Sequence, residues 1–327
     1  MKTMKAAVYE GPRNIKATEV DRPEEKEGWA LVKVDYCGIC GTDMNIYAGT
    51  HPRAYTPLII GHEFTGTIIE HSDIPFGTQV IAFPLLCCGK CEPCRSGKKH
   101  ICEELGLFGI DEAGGMAEYV LVPEDDILPL PEGISPRKGA LIEPLAVAVH
   151  AVRIANIKLG DRAVVFGAGP IGICVAATLK LNGIQQVSIV EVNEFRKQLA
   201  KELGFPVVEN AKDLLASDIV FDCAAHPAVA NQLIRSAKPG GEIILVGTYK
   251  FPEKLDLQGL TFKELSVKGA RVYTKQDYEI AISLLFREFD FEKIITHEFL
   301  ITEVDQAFEL ASSQEDSMKI LISFENN

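Results

Sequence analysis

Two rhythms of apolar and polar positions divide this chain. Up to about Ala140 the apolar positions fall in short runs, ALVKVDYCG, FTGTIIEH, TQVIAFPL and AEYVLVP, separated by Gly and Pro. Short β-branched runs punctuated by turn formers predict an irregular, mainly antiparallel β domain. From about Leu145 the rhythm changes to strand and helix in alternation. The apolar run Ala163–Phe166 predicts a buried strand, and the stretch after it predicts a helix from Ile171 to about Asn182. Val187–Val190 predicts a strand, EFRKQLAKELG a helix, DIVFDCA a strand, and the segment reaching about Ser236 another helix. Pro239-Gly240-Gly241 reads as a turn leading into a further strand, EIILVG. Such alternation implies a parallel sheet covered by helices on both faces.

The last portion changes again. It predicts a helix near Gln276–Phe286, another near Glu303–Leu310, and a terminal strand, KILISF. We read this as the chain returning to its first domain. The fold class is therefore α/β: an irregular β domain over 1–144 and 271–327, interrupted over 145–270 by a doubly wound, nucleotide-binding domain. At 327 residues two domains are the default expectation. The opening MKTMKAAVYEG reads as strand and turn rather than as a targeting segment. The most apolar stretch, AVVFGAGPIGICVAATL, is broken by three glycines and a proline, which suits a strand–turn–helix and not a membrane span.

Charge narrows the partners. The 33 Lys+Arg against 46 Asp+Glu give a net charge of −13, a field that repels nucleic acid and anionic membranes. A small molecule is the expected partner. Nine cysteines without a secretion signal predict a reducing compartment, the cytoplasm, with clustered thiols kept for metal.

The clustered thiols are Cys88, Cys91, Cys94 and Cys102, spaced C-x2-C-x2-C-x7-C in one Gly- and Lys-rich loop. Four thiolates that close suit a tetrahedral zinc, and a closed site has no vacant position for a substrate. Gly167-Ala168-Gly169-Pro170-Ile171-Gly172 is a G-x-G-x-x-G set between a buried strand and an apolar helix. There the glycines allow close backbone approach and the helix N-terminus can hold a pyrophosphate. Glu191, at the end of the next strand, can bond ribose hydroxyls and repel a 2′-phosphate, so NAD is expected over NADP. Arg196 complicates this, since a guanidinium can accept that phosphate. Three further segments carry zinc-type donors: Cys40 in CGICGTD, His62-Glu63 in IIGHEFTG, and Glu143 in ALIEPLAVAVHA. Taken singly, each also has a packing, hydrogen-bonding or helix-start reading.

Taken together, these segments resemble the zinc-dependent medium-chain alcohol dehydrogenases, in their polyol, threonine and hexonate 5-dehydrogenase branch. The matches run from CGICGTD through GHEFTG, the four-Cys lobe, IEPLAVAVHA and GAGPIG to THEF. The resemblance implies a GroES-like catalytic β domain interrupted by a Rossmann cofactor domain. It implies that Cys40, His62, Glu63 and Glu143 hold a catalytic zinc, one Glu contacting it through water or exchanging with it. The four-Cys lobe would hold a structural zinc. Thr42 would receive the alcohol proton, and Asp43 would orient a ligand such as His62. Val246, Gly247 and Arg271 would join the glycine loop, Glu191 and Arg196 in binding the cofactor. An alcohol is a poor hydride donor until its hydroxyl loses a proton, and zinc lowers the pKa of an oxygen bound to it. The family also implies a homodimer or homotetramer, paired through a strand such as EIILVG.

Departures accompany the resemblance. Asn45 stands where many members have a His that continues the proton relay, and an amide cannot shuttle a proton. The loop IIEHSDIPFGTQV is shortened, as is the stretch near Asn210–Asp218. AAHP, LQGLTFKELSVKGARV and EKIITHEF are similar to dehydrogenases of sugar acids such as gulonate or galactonate, beside sorbitol-type enzymes. EVNEFR resembles the threonine dehydrogenase cofactor strand, and a butanediol-type substrate is a further alternative. Arg53, His226 and Arg271 are conceivable partners for a substrate carboxylate. Cys37, Cys87, Cys174 and Cys223 fit neither metal set and read as packing. Two other readings compete: a zinc-free quinone reductase of the same fold, which needs none of the metal-type residues, and a non-enzymatic zinc- and nucleotide-binding regulator.

Overall fold

A computed structural model describes residues 2–24, 26–70, 73–313 and 316–324. Met1 of the opening strand, and His71 and Ser72 of the shortened loop, lie outside the described residues. The chain forms two compact units, Met1–Glu143 with Phe291–Asn327, and Pro144–Asp290.

The first unit opens with β1 (Thr3–Gly11), β2 (Asn14–Asp21), β3 (Trp29–Gly38) and helix α1 (Gly41–Tyr47). Next come β4 (Leu58–Ile59), β5 (Glu63–Glu70), β6 (Gln79–Ala82) and β7 (Leu85–Leu86). The cysteine lobe holds a single turn of helix, α2 (Glu92–Arg95), and ends near β8 (Gly106–Leu107), which pairs with β7. β9 (Tyr119–Pro123), β10 (Ile127–Pro129), α3 (Pro136–Gly139) and α4 (Ile142–Ile154) follow, and α4 carries the chain into the second unit.

The second unit alternates as its sequence predicts. It comprises β11 (Arg162–Phe166), α5 (Pro170–Leu181), β12 (Gln186–Val190), α6 (Glu194–Glu202), β13 (Val207–Val208) and β14 (Ser217–Asp222). Then come α7 (Pro227–Ser236), β15 (Ala237–Leu245), α8 (Leu257–Phe262), β16 (Ser266–Gly269) and α9 (Lys275–Leu284). The chain returns through β17 (Ile295–Leu300), α10 (Val304–Ser313) and β18 (Lys319–Ser323).

The first unit is built on a seven-stranded sheet, β10-β6-β5-β3-β18-β17 with β9 also on β3, and a smaller sheet β2-β1-β4. β18 runs antiparallel to β3, pairing Leu321 with Gly38 and Ile322 with Cys37. That register carries the last strand beside the segment that ends in Cys40. Val32, Val34, Ile60, Phe64, Phe108 and Ile322 anchor its core.

The second unit has one parallel sheet in the order β13-β12-β11-β14-β15-β16, the doubly wound Rossmann order. Its central strands β11 and β14 are buried along most of their length because helices cover both faces. Val164, Phe166, Val220 and Ile243 are all buried in its core. Truncating Phe166 to Ala would cost about 3–5 kcal/mol, the usual penalty for emptying a buried aromatic site.

Three expectations about this unit need correction. The Pro239-Gly240-Gly241 turn lies inside β15, where pairing with β14 skips from Ser217↔Ala237 to Ile219↔Glu242. Gly240, at φ +74°, absorbs the extra residues as a bulge. EIILVG is not an edge: β15 lies between β14 and β16, and SVKG in β16 is the exposed edge strand. The return to the first unit falls at Phe291 and not at 271. Buried Asp277 explains this, because it ties α9 to α4 by bonding His150 Nδ1 at 2.9 Å, Arg153, and the Thr274 N–H and hydroxyl at 2.7 Å. Among the described residues no helix is long and apolar enough to cross a membrane.

Candidate metal and cofactor sites

Strand register assembles the first cluster. Gly38, the last residue of β3, pairs with Glu63, the first residue of β5. A Cβ at Gly38 would overlap the Glu63 carboxylate, so glycine is required where the strand passes this acid. Gly61 has φ +98°, and a Cβ there would meet Cys37 Sγ and Met116 Cγ at 2.7 Å. These two glycines bring the turn before α1 and the turn before β5 together. Ligand atoms of Cys40, His62 and Glu63 lie within 4.8 Å of one another. His62 is 2% exposed and Glu63 1%. Glu143 is also buried, and its charge helps raise the pKa values of His62 and Lys319, but it stands outside that close group.

Asp43 organises the turn before α1. Its Oδ2 accepts the Cys40 N–H at 2.8 Å, and its Oδ1 lies 3.7 Å from His62 Nδ1. Both of those last atoms are buried without a hydrogen-bond partner among the described residues. Burial alone would lower the His62 pKa, yet Asp43, Cys40 and Glu143 hold it well above its ordinary value. Burial likewise raises Asp43, more than His62 lowers it. Thr42 is half-buried in the first turn of α1, with Asn45 further along the same helix.

Sequence reasoning missed Lys319. This lysine, 2% exposed on β18, donates to Glu63 Oε1 at 2.7 Å, Glu63 Oε2 at 2.6 Å and the Ile39 carbonyl at 3.0 Å. Burial opposes its charge, but Glu63, Cys40 and Glu143 together hold its pKa above the ordinary value, so it is an ammonium. The cluster is thus rich in negative donors, with one built-in cation. A cysteine, a histidine and a carboxylate with ligand atoms this close, Cys40 half-buried and the other two buried, form the donor set of a zinc site.

The four-Cys lobe assembles separately. The sulfurs of Cys88, Cys91, Cys94 and Cys102 lie within 4.8 Å of one another, and all are free thiols. The Cys91 N–H points at Cys88 Sγ, and the Cys88 N–H at Cys102 Sγ, each at 3.4 Å. Backbone N–H groups of Lys90 and Cys91 draw the Cys88 thiol down to about 7, while burial pushes Cys94 up to about 12. Four sulfurs this close cannot all ionise without a cation, so the lobe fits zinc. Cys87 is outside the set: its thiol faces the Lys99 carbonyl at 3.4 Å, and burial pushes it up to about 11.

The glycine loop sits between β11 and α5. Gly167 has φ +93°, and a Cβ on Gly172 would overlap the Gly167 carbonyl oxygen. Pro170 opens α5 and Ile171 follows it, so the loop feeds directly into a helix N-terminus. Glu191 also makes backbone bonds that its sequence position does not announce. It is 8% exposed, its Oε2 accepts the Ala168 N–H at 2.7 Å, and its Oε1 accepts the N–H groups of Val192 and Asn193 at 2.7 and 2.9 Å. The acid therefore also fixes the glycine loop to the turn before α6. Arg196, on α6, brings Nη1 to 3.8 Å from where a Gly169 Cβ would lie, and its buried Nε has no hydrogen-bond partner among the described residues. Val246 and Gly247 follow β15 and both donate to the Asp222 carbonyl at 2.9 Å. Arg271 is exposed just after β16.

Two of the residues considered for a substrate carboxylate have structural partners. Arg53 Nη1 donates to Asp111 at 2.9 and 3.0 Å and to the Leu105 carbonyl at 2.9 Å, joining two loops. His226 Nδ1 accepts the Ala228 N–H at 3.2 Å and caps α7.

Comparison with known proteins gives concordant results. Residues 26–132 match the alcohol dehydrogenase GroES-like domain, and 170–287 match the zinc-binding dehydrogenase domain. The chain is 33% identical to 2-dehydro-3-deoxy-L-galactonate 5-dehydrogenase of Pseudoalteromonas atlantica over 336 residues, 98% of each chain. It is 33% identical to L-threonine 3-dehydrogenase of Bacillus subtilis over 328 residues, 93% of this chain and 94% of that one. Among solved structures, RspB of Escherichia coli CFT073 complexed with NADH superposes with a TM-score of 0.91 at 30% identity, over 99% of this chain and 100% of that one. A zinc-binding dehydrogenase of Sinorhizobium meliloti 1021 bound to NADP gives 0.92 at 29% identity, with the same coverage. Fold, donor clusters, glycine loop and full-length similarity agree, and the chain belongs to the zinc-type medium-chain alcohol dehydrogenase family.

Proposed function

We propose that this protein transfers hydride from a secondary alcohol of a polyol or sugar acid, such as a hexonate, to NAD in preference to NADP. The observation that carries the reading is the convergence of Cys40, His62 and Glu63 at one buried point, in a chain that also presents a G-x-G-x-x-G helix start. In this reading Cys40, His62, Glu63 and Glu143 hold the catalytic zinc, and Cys88, Cys91, Cys94 and Cys102 hold a structural one. When bound, the catalytic zinc supplies Lewis acidity that makes the substrate hydroxyl easier to deprotonate. Thr42 accepts that proton, and Asp43 steadies the His62 ring. Asn45 cannot pass the proton on, so it leaves by another route.

Gly167, Gly169, Pro170, Ile171 and Gly172 cradle the cofactor pyrophosphate, and Val246, Gly247 and Arg271 serve its other half. Glu191 supports NAD because an acid at this strand end, held there by backbone N–H groups, leaves no welcome for a second phosphate; Arg196 is the opposing influence. The sugar-acid substrate is supported by the galactonate relative, and threonine by a relative of equal identity. We further infer a homodimer or homotetramer, because β16 offers an exposed parallel edge on which a second copy can pair. Nine free thiols fit the reducing cytoplasm.

The test is NADH and NADPH production by zinc-loaded protein over polyols, aldonates, threonine and 2,3-butanediol. A sugar acid or polyol should give the highest kcat/KM, with NAD favoured at least tenfold. A best substrate of threonine or butanediol would replace the substrate class, and no nucleotide reduction with any alcohol would refute the enzyme reading.

A further inference from the structure

A second buried acid stands at the carboxyl end of the parallel sheet, used by neither the metal cluster nor the glycine loop. Asp222, the last residue of β14, has no exposed surface. Its Oδ1 accepts the N–H groups of Ala224 and Ala225 at 3.1 and 3.0 Å. Its Oδ2 accepts the Tyr249 hydroxyl at 2.6 Å, and its carbonyl accepts Val246 and Gly247. One residue therefore ties together the loops leaving two adjacent strands, β14 and β15. Burial and the Asp222 carboxylate push the Tyr249 phenol well up, so it stays a neutral donor.

The loops are also in close contact. Ala225 adopts φ +46°, a left-handed conformation that costs free energy for a residue with a Cβ. A Cβ at Gly247 would come within 2.8 Å of the Ala225 Cβ, and one at Gly167 within 3.2 Å of Ala224. The glycine loop, the 223–226 turn and the 246–249 loop thus form one continuous rim across β11, β14 and β15. In open α/β sheets dinucleotides lie across this rim, with the pyrophosphate at the first helix N-terminus. Glu191 and Arg196 stand on the β12 side of β11, where the adenosine half belongs. β14 and β15 lie on the other side of β11, so their loops face the nicotinamide half.

We propose that Tyr249, acting through Asp222, is a positioning residue that fixes the 246–249 loop for the nicotinamide end of the cofactor. The inference rests on the reading of this protein as a nicotinamide-dependent dehydrogenase. It separates two halves of one ligand, and this makes it testable apart from general stability. Titration calorimetry on wild type and Tyr249→Phe would compare the reduced cofactor the wild type holds more tightly, NADH or NADPH, with ADP-ribose or its 2′-phosphate as the matching probe without nicotinamide. Loss of a hydrogen bond to a buried carboxylate should weaken the full cofactor roughly tenfold, while the nicotinamide-free probe stays within twofold. Unchanged cofactor affinity, or equal weakening of both ligands, would overturn the proposal. A wild-type protein that binds neither full cofactor nor probe would instead remove the cofactor reading on which it stands.

Discussion

Replacing Lys319 with Met tests the internal counter-ion of the metal cluster. Methionine keeps most of the stem volume and removes only the ammonium, so little cavity is created. Glu63, 1% exposed, then loses the partner that bonds both its oxygens at 2.6 and 2.7 Å. Buried Asp43 adds a like charge nearby, raising the cost. Removing one member of a buried ion pair costs about 3–5 kcal/mol, because the other charge is left uncompensated. For a domain of this size each kcal/mol moves the melting temperature by about 2–4 °C, so the metal-free variant should melt roughly 10 °C below wild type. Zinc held there as proposed would supply a second cation beside Glu63, so the loss should shrink in the loaded protein. Lys319→Met/Glu63→Gln should recover at least half of the metal-free loss. Thermal melts of all three proteins, with and without zinc, measure this. A single variant melting within about 2 °C of wild type without metal, a margin of about 1 kcal/mol or less, would refute the reasoning.

Further outcomes follow from other contacts. Burial would raise the Asp277 carboxyl, but hydrogen bonds from His150, Thr274 and Arg153 outweigh it and hold the group well below the ordinary carboxylate range. Because its folded pKa is depressed, its stabilisation is complete at neutral pH and disappears as pH falls below about 4. Asp277→Asn should therefore melt lower at pH 7 and lose less than wild type between about pH 5 and 2; parallel melting curves against pH would count against this. Gly172→Ala should weaken cofactor binding at least tenfold in a titration, since its Cβ overlaps the Gly167 carbonyl; unimpaired binding would mean the loop relaxes freely. Arg53→Met should leave kcat/KM for sugar acids within about threefold, because Asp111 and Leu105 already engage the guanidinium. A larger loss specific to acidic substrates would restore Arg53 as a carboxylate partner.

What was legible in the sequence is what local chemistry forces. The glycine loop was readable because the backbone at Gly167 and the contact at Gly172 admit no side chain. The four-Cys lobe was readable because its ligands lie in one loop at metal spacing. Cys40, His62 and Glu63 became readable through resemblance, and the structure brings these three together while leaving Glu143 outside the close group. Lys319 was not readable: its partner is 256 residues away, and a lysine in KILISF looks like an ordinary strand residue. The backbone bonds of Glu191 were not readable, because a strand-end acid carries no sign that backbone N–H groups will reach both oxygens. Pro-Gly-Gly signals a break in regular structure without saying whether the chain turns or bulges, and in β15 it bulges. SVKG was overlooked as the edge strand because four half-polar residues carry too little period to register.

The central claim is that chemistry belongs to the Cys40 cluster and bracing to the four-Cys lobe. Zinc content per chain and turnover, measured together on wild type, Cys40→Ser and Cys94→Ser, address it most directly. About two zinc ions per wild-type chain are expected, one for each donor cluster. Cys40→Ser should lose one ion and its turnover while keeping the other ion and its fold. Cys94→Ser should lose the other ion and melt lower before its turnover per folded chain falls. Full turnover in Cys40→Ser, or abolished turnover in a Cys94→Ser protein of normal stability, would contradict the account.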